Sequence, residues 1–207
     1  MLGGNDPYSA SKAALEIAVS SWRDSFCVNK EKISSNLKIA TARAGNVIGG
    51  GDWANDRIVP DAIRSIIKKD SLLLRNPYST RPWQHVLEPL WGYILLAKFL
   101  YVDGSTFSES FNFGPNISSN RQVKDVVEKI FDYWPGKYII QKEQNTYHEA
   151  VRLNLNVDKA FQKLNWFPKM DFDITIQKTV KWYKDSSEGK CQIECCLDDI
   201  NFYQNLI

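Results

Sequence analysis

The sequence predicts an α/β chain: the closing part of an α/β sheet domain with a smaller α+β lobe attached. Three observations carry this prediction. Residues 7–53 run from an amphipathic helix through a strand into a glycine-rich loop. Short strands and helices in mixed order follow. The opening βαβ units of a complete doubly wound sheet do not appear in these 207 residues.

The elements follow in order. Pro7 sits where the first turn of a helix tolerates proline. Leu15, Ala18, Val19, Trp22 and Phe26 then recur at helical spacing, predicting a helix to about Asn29 with one apolar face. A polar loop, 30–36, follows. Residues 37–43 alternate apolar with small or polar side chains and read as a strand in a buried sheet. The strand runs into Gly45 and Gly49-Gly50-Gly51. Consecutive glycines there suit close backbone approach to a ligand, or a flexible surface loop.

Further on, a short amphipathic helix is predicted over 61–69 and a strand over 72–75, closed by Asn76-Pro77. Residues 81–86 form a second arginine-bearing element. Glu88 and Pro89 open an apolar helix through Leu100. Phe111–Pro115 reads as a strand ending in a turn. Val123, Val126, Val127, Ile130, Phe131 and Trp134 mark a helix, Tyr138–Ile140 a strand, and Asp158–Leu164 a short helix. Ile174, Ile176, Val180 and Tyr183 mark the last helix. Residues 189–207 show no period and read as a tail, with three of the four cysteines in it.

Net charge is +2 with both signs interspersed, which excludes a nucleic-acid binder driven by bulk electrostatics. No apolar run reaches the roughly 18 residues of a membrane span, and no basic-then-apolar secretory segment opens the chain. The expectation is a cytoplasmic protein without a membrane partner. Cys27, Cys191, Cys195 and Cys196 show no paired spacing and read as reduced thiols. No histidine lies near the last three, so no metal site is expected.

The candidate chemistry starts at Tyr8 and Lys12. Residues i and i+4 of a helix share a face, with Cβ atoms roughly 5–6 Å apart. An ammonium beside a phenol favours the phenolate. Lowering a phenol from about 10 to about 7 takes about 4 kcal/mol, more than one lysine supplies but within reach of a lysine and a cationic nicotinamide together. The pair is a candidate proton-transfer unit for alcohol–ketone chemistry, or else an exposed helix start with a packed ring. Arg57, Arg75, Arg81 and Arg152 lie in loops or at strand ends. Guanidinium forks there match diphosphate oxygens bidentately, or serve as solvated surface charges. Asn46 offers an amide to a phosphate or substrate. His85, beside an apolar helix, reads as packed or capping rather than catalytic. His148 sits in a polar loop where a binding role is left open. Trp53 and Trp83 either stack on a base or pack.

These motifs occur in a telling succession: Tyr8-x-x-x-Lys12, the run Arg43–Trp53, Arg57-Ile58-Val59-Pro60-Asp61, Arg75-Asn76-Pro77, the run Arg81–Val86, Phe111-Asn112-Phe113-Gly114-Pro115, and Leu164-Asn165-Trp166-x-Pro168. The succession resembles the nucleotide-sugar branch of the extended short-chain dehydrogenase/reductases, from residue 2 to about Tyr183. The Gly-Gly-Gly-Asp-Trp and Arg-Pro-Trp-Gln-His-Val segments favour the 4,6-dehydratases that act on CDP-glucose over those for dTDP- and UDP-sugars.

The resemblance implies a Rossmann-like domain, of which 1–52 would be the remaining C-terminal part with later returns to it. Residues 53–188 would be mainly the substrate lobe and 189–207 the tail. It implies NAD as cofactor, with Tyr8 and Lys12 both catalytic and cofactor-binding. Tyr8 would take the proton of the sugar 4-hydroxyl, and Lys12 would hold the nicotinamide ribose. Asn46, Arg57, Arg81 and Arg152 match positions that bind the diphosphate or nearby nucleotide; Arg75 and Asn112 match weaker binding positions. A 4-keto-6-deoxy sugar nucleotide would be the product, serving deoxysugar and lipopolysaccharide O-antigen synthesis. The family's Gly-x-x-Gly-x-x-Gly turn, its acidic ribose ligand and its elimination acid/base have no counterpart here. The expectation is therefore an N-terminally truncated or split dehydratase, inactive alone. Its partner would be a second copy or a chain supplying the first Rossmann half. A non-catalytic binding remnant, or a related epimerase or reductase, is the alternative.

Overall fold

The computed structural model describes residues 4, 6–27, 37–141 and 154–207. In order, its elements are α1 (Pro7–Phe26), β1 (Thr41–Ala44), β2 (Asn46–Ile48), α2 (Ile58–Lys68), β3 (Ser71–Leu74), β4 (Thr80–His85), α3 (Leu87–Val102), α4 (Gly104–Phe107), β5 (Ser110–Phe113), β6 (Asn120–Gln122), α5 (Val123–Tyr133), β7 (Lys137–Ile140), α6 (Asp158–Leu164), α7 (Phe172–Ser187) and α8 (Gln192–Gln204). The chain is mixed α/β, as its sequence predicts. It divides into two compact units, each assembled from three segments.

The first unit comprises Met1–Arg43, Trp91–Asn112 and Val157–Trp166. Strand β1 pairs with β5. Leu96, Phe107, Phe111, Ala160, Leu164 and Trp166 are buried in this unit, and Phe99 stacks on Phe107 at 4.9 Å. Glu109 ties α6 to the segment before β5 through Lys159 (2.9 Å) and Lys163 (2.5 Å). Helix α1 buries no residue at all. Of its predicted apolar face, Leu15, Ala18, Trp22 and Phe26 are exposed and Val19 is half-buried; Ile17, off that face, is exposed too.

The second unit comprises Ala44–Leu90, Phe113–Asn156 and Phe167–Ile207. Its sheets are β2–β4–β6 and the parallel pair β3–β7. Strand β4 changes partner along its length. Thr80–Pro82 pair antiparallel with β6, and Trp83–His85 pair parallel with Asn46–Ile48 of β2. Pro82, which has no N–H to donate, stands at the changeover. Helices α2, α5 and α7 pack on one core with Ile48, Ile63, Leu74, Trp83, Val127, Ile130, Ile176, Val180 and Tyr183 at its centre.

Residues 192–204, left without structure by the sequence reading, form α8, with Cys195, Asp199 and Tyr203 on its buried face. The apolar stripe of this helix, Ile193, Leu197 and Ile200, is the exposed one. Burial is instead achieved through polar pairs. Glu88, fully buried at the start of α3, accepts from the Lys169 N–H (2.8 Å), the Met170 N–H (2.5 Å) and the Tyr203 hydroxyl (2.7 Å). Burial raises the Glu88 carboxyl above its ordinary value against those three donors. His85 Nδ1 accepts from the Leu87 N–H at 3.4 Å, so this histidine is packed and capping. His85 Nε2 lies 3.9 Å from Asp199 Oδ2, and Lys178 Nζ lies 3.8 Å from Asp199 Oδ1.

Burial, then the Lys178 charge, pushes His85 down to about 4. Burial pushes Asp199 up to about 6; Lys178 and Lys181 oppose this, and Asp198 and Asp185 add to it. The two groups act on stability with opposite sign. Below about pH 6.5 the unfolded chain protonates a histidine that the folded chain keeps neutral, so stability falls until about pH 4. Between about pH 6 and 3.8 the folded chain takes up a proton at Asp199 that the unfolded chain does not, so stability rises as pH falls. Asp199→Asn should therefore expose the histidine effect, losing about 2 kcal/mol between pH 7 and pH 5, and more than the parent loses. Urea titrations at the two pH values measure this; equal losses in parent and variant would refute it.

Candidate active site

The candidate residues fall into two groups, one in each unit. In the first unit, Asp6 caps α1. Its carboxylate accepts from the Tyr8 N–H (2.9 Å) and the Ser9 N–H (3.0 Å), and the Ser9 hydroxyl closes the capping box. These bonds hold the Asp6 carboxyl below its usual range, the Ser9 side chain contributing most. Tyr8 is therefore fixed in the first turn, 72% exposed, with Lys12 Nζ 5.5 Å from its ring centroid. The i,i+4 spacing has brought ammonium and phenol together on an open face.

One turn further along that row, Glu16 anchors the helix. Its carboxylate accepts from Thr41 of β1 (2.9 Å) and Ser110 of β5 (3.1 Å), and Arg43 Nε stands 3.7 Å away. Glu16 is eight residues after Tyr8 and four after Lys12. A clamp at that position sets the roll of α1, and hence the direction in which the pair faces. The sequence analysis missed it; the signal was an acidic residue continuing the i,i+4 series.

In the second unit the glycine loop, Gly49–Arg57, joins β2 to α2. Gly51 adopts φ +84°, a conformation that L side chains rarely take. Asp52 Oδ1 accepts from the Ala54 N–H (3.0 Å), and Oδ2 accepts from Arg57 Nη1 (3.0 Å). Arg75, after β3, is paired with Asp56, whose charge and hydrogen bond raise the guanidinium pKa further. Both arginines are mostly exposed and held beside the loop by its own carboxylates. Arg64 of α2 donates to the Trp53 carbonyl (2.8 Å) and the Ala54 carbonyl (3.0 Å), so this arginine is structural. Tyr183 of α7 donates to the Asp52 carbonyl at 2.6 Å and is pushed up to about 12, by burial first and the Asp52 charge second.

The remaining predicted residues are placed as follows. Asn46 opens β2 opposite Trp83, half-buried. Arg81, half-buried in β4, donates to its neighbour's carbonyl at 2.9 Å and sits opposite Arg121. Trp83 is buried and donates to the Arg121 carbonyl (3.0 Å), so it packs. Trp53 is 45% exposed, edge-on to Tyr183 at 5.1 Å. Asn112 is half-buried in β5, in the first unit. Arg152 and His148 lie outside the described residues. Among the described residues no group of histidine, cysteine and acidic side chains could hold a metal, and no helix is long and apolar enough to cross a membrane.

No family model matches the chain. It is 42% identical over 206 residues to CDP-glucose 4,6-dehydratase of Salmonella typhimurium, covering 99% of this chain and 57% of that protein. A dTDP-glucose 4,6-dehydratase of Haemophilus influenzae is 22% identical over 197 residues, 89% of this chain and 54% of that protein. The crystal structure of a dTDP-glucose 4,6-dehydratase from Bacillus anthracis in complex with NAD superposes with a TM-score of 0.69 at 21% identity, over 91% of this chain and 55% of that one. The fold is that of the Rossmann-like dehydratases and epimerases. The chain spans about half the length of the curated relatives it matches, and resembles their C-terminal part.

The Glu16 clamp carries a test. Glu16→Ala removes the counter-charge 3.7 Å from a buried Arg43 Nε that has no hydrogen bond of its own, and the acceptor of two hydroxyls, so the first unit should lose about 1–3 kcal/mol. Denaturant titration followed by far-ultraviolet circular dichroism reads the loss. A change below about 0.3 kcal/mol, the size of an ordinary surface substitution, would show that the clamp does not hold α1.

Proposed function

We propose that the chain is the nucleotide-sugar-binding and proton-transferring part of an NAD-dependent CDP-glucose 4,6-dehydratase. The 42% identity to a CDP-glucose enzyme over nearly the whole chain carries this reading. The chemistry of the two residue groups agrees with it. Residues 1–52 are read as belonging to the NAD-binding part, 53–188 mainly as the substrate lobe, and 189–207 as the segment containing α8.

Tyr8 receives the proton of the sugar 4-hydroxyl as that carbon is oxidised. Lys12, a cationic donor one turn along an open helix face, stabilises the phenolate and fits a ribose hydroxyl of NAD. NAD supplies the hydride acceptor at C4 and the hydride donor at C6. These 207 residues contain no Gly-x-x-Gly-x-x-Gly, so the Tyr8–Lys12 face accounts for the nicotinamide end alone. Arg57, Arg75, Arg81 and Arg152 are assigned to the diphosphate and adjoining nucleotide, with Asn46 and Asn112 as polar contacts. In the described structure Asp52 and Asp56 occupy the first two guanidiniums. Asp52 takes only Nη1 of Arg57 and Asp56 only Nη2 of Arg75, which leaves further N–H donors of each fork for a diphosphate.

The exposed apolar face of α1 suits cover by a chain supplying the other Rossmann half, or by a second copy. A 4-keto-6-deoxy sugar nucleotide suits deoxysugar supply for lipopolysaccharide O-antigen, in the cytoplasm.

Isothermal titration of the purified chain with CDP-, dTDP- and UDP-glucose tests the binding half of the proposal. CDP-glucose should bind at least tenfold more tightly than the other two. Arg57→Ala and Arg81→Ala should each weaken it by about 10-fold, at about 1.4 kcal/mol per decade. Equal binding of the three sugars, or none, would overturn the assignment.

A further inference from the structure

The three glycines that open the loop are held from outside it. A Cβ built on Gly50 would fall 2.0 Å from both Cγ and Cδ2 of Trp182, so the Gly50 backbone lies against the indole face. Gly51 follows beside the same ring, with its Cβ position 3.5 Å from Trp182 Cη2. The next residue of α7, Tyr183, donates its hydroxyl to the Asp52 carbonyl at 2.6 Å and meets the Trp53 ring edge-on. Both α7 side chains are buried, at 5% and 1% exposure. At its N–H edge the indole of Trp182 donates to Cys196 Sγ of α8 at 3.4 Å, a bond that favours this orientation of the ring. The contacts are arranged in series: α8 holds Trp182, α7 holds the backbone of residues 50–52, and the Asp52 carboxylate holds Arg57 at 3.0 Å.

We propose that Tyr183 and Trp182 are positioning residues for nucleotide binding, setting through Asp52 the geometry in which Arg57 meets the diphosphate. This rests on the reading of the second unit as a nucleotide-sugar site. A single fixed residue, Asp52, receives Tyr183 on its carbonyl and Arg57 on its carboxylate. Movement at one end is transmitted to the other without a change in the guanidinium itself. A loop of three consecutive glycines has no side chains of its own to resist such movement. Its order is therefore supplied from α7, more than 120 residues away in the chain.

The test is a double-mutant cycle on the full chain with CDP as the titrant. Tyr183→Phe removes one hydroxyl and no ring. It should weaken CDP binding about fivefold, in line with a lost hydrogen bond of about 1 kcal/mol, while the melting temperature changes by no more than a few degrees. Combined with Arg57→Ala, it should add no further loss, because the two act on one contact. CDP binding by Tyr183→Phe equal to that of the parent, or losses that multiply in the double variant, would overturn the proposal. If the parent chain binds no CDP, the nucleotide reading falls and the clamp is judged separately. Hydrogen exchange at the amides of 50–57 should then be about tenfold faster in Tyr183→Phe than in the parent. Unchanged exchange would overturn the clamp as well.

Discussion

The Gly50 backbone lies on the indole of Trp182, with the Tyr183 hydroxyl on the next carbonyl but one. The organisation of the second unit depends on this contact. A Cβ at residue 50 would overlap the indole, whose N–H is bonded to Cys196 of α8. The loop leaving β2 is thereby committed to one path, which ends with Arg57 as the N-cap of α2. Helix α2 in turn caps the loop from the other side through Arg64. Glycine freedom is thus converted into a defined arrangement by packing from a distant helix, at the cost of tolerating no Cβ at residue 50.

The first unit solves a similar problem with charge. Helix α1 has no buried residue, so hydrophobic packing within the described chain does not orient it. Asp6 fixes its start, and Glu16 fixes its roll against β1 and β5. Between those two acidic anchors lie Tyr8 and Lys12, on an open face. An exposed phenol and ammonium on a polar-anchored helix suit a site that a cofactor and substrate complete. The uncovered Leu15, Trp22 and Phe26 suit a helix whose apolar side packs against further protein.

Much of this was legible in the sequence because it depends on period. The i,i+4 pair, the helices at 58–68, 123–133 and 172–187, and the α/β class follow from hydrophobic spacing. What stayed hidden did so for physical reasons. Helix α8 buries Cys195, Asp199 and Tyr203 and exposes Ile193, Leu197 and Ile200, inverting the pattern that reveals a helix. Strand β4 reads Thr-Arg-Pro-Trp-Gln-His, with a proline and no apolar alternation, because it changes partner midway. The exposed arginines announced themselves by type, whereas Asp52 and Asp56 as their partners did not, since both pairs depend on the turn of the glycine loop. Arg64, inside the predicted helix and not among the candidates, is the arginine that the fold sets on the loop's carbonyls.

The account's central claim is that Tyr8 is the proton acceptor of a CDP-glucose dehydratase whose substrate lobe this chain supplies. A chimera tests it most directly. The part of the Salmonella typhimurium relative that this chain does not match is fused ahead of residue 1. The conversion of CDP-glucose to its 4-keto-6-deoxy product is then followed with NAD⁺, for the chimera and its Tyr8→Phe variant. The account predicts turnover by the chimera and a loss of at least 100-fold in kcat on Tyr8→Phe, within the usual range for a general acid–base group. CDP-glucose binding by the variant should be preserved. A chimera that binds NAD⁺ and CDP-glucose but does not turn over, or a Tyr8→Phe variant as active as its parent, would contradict it.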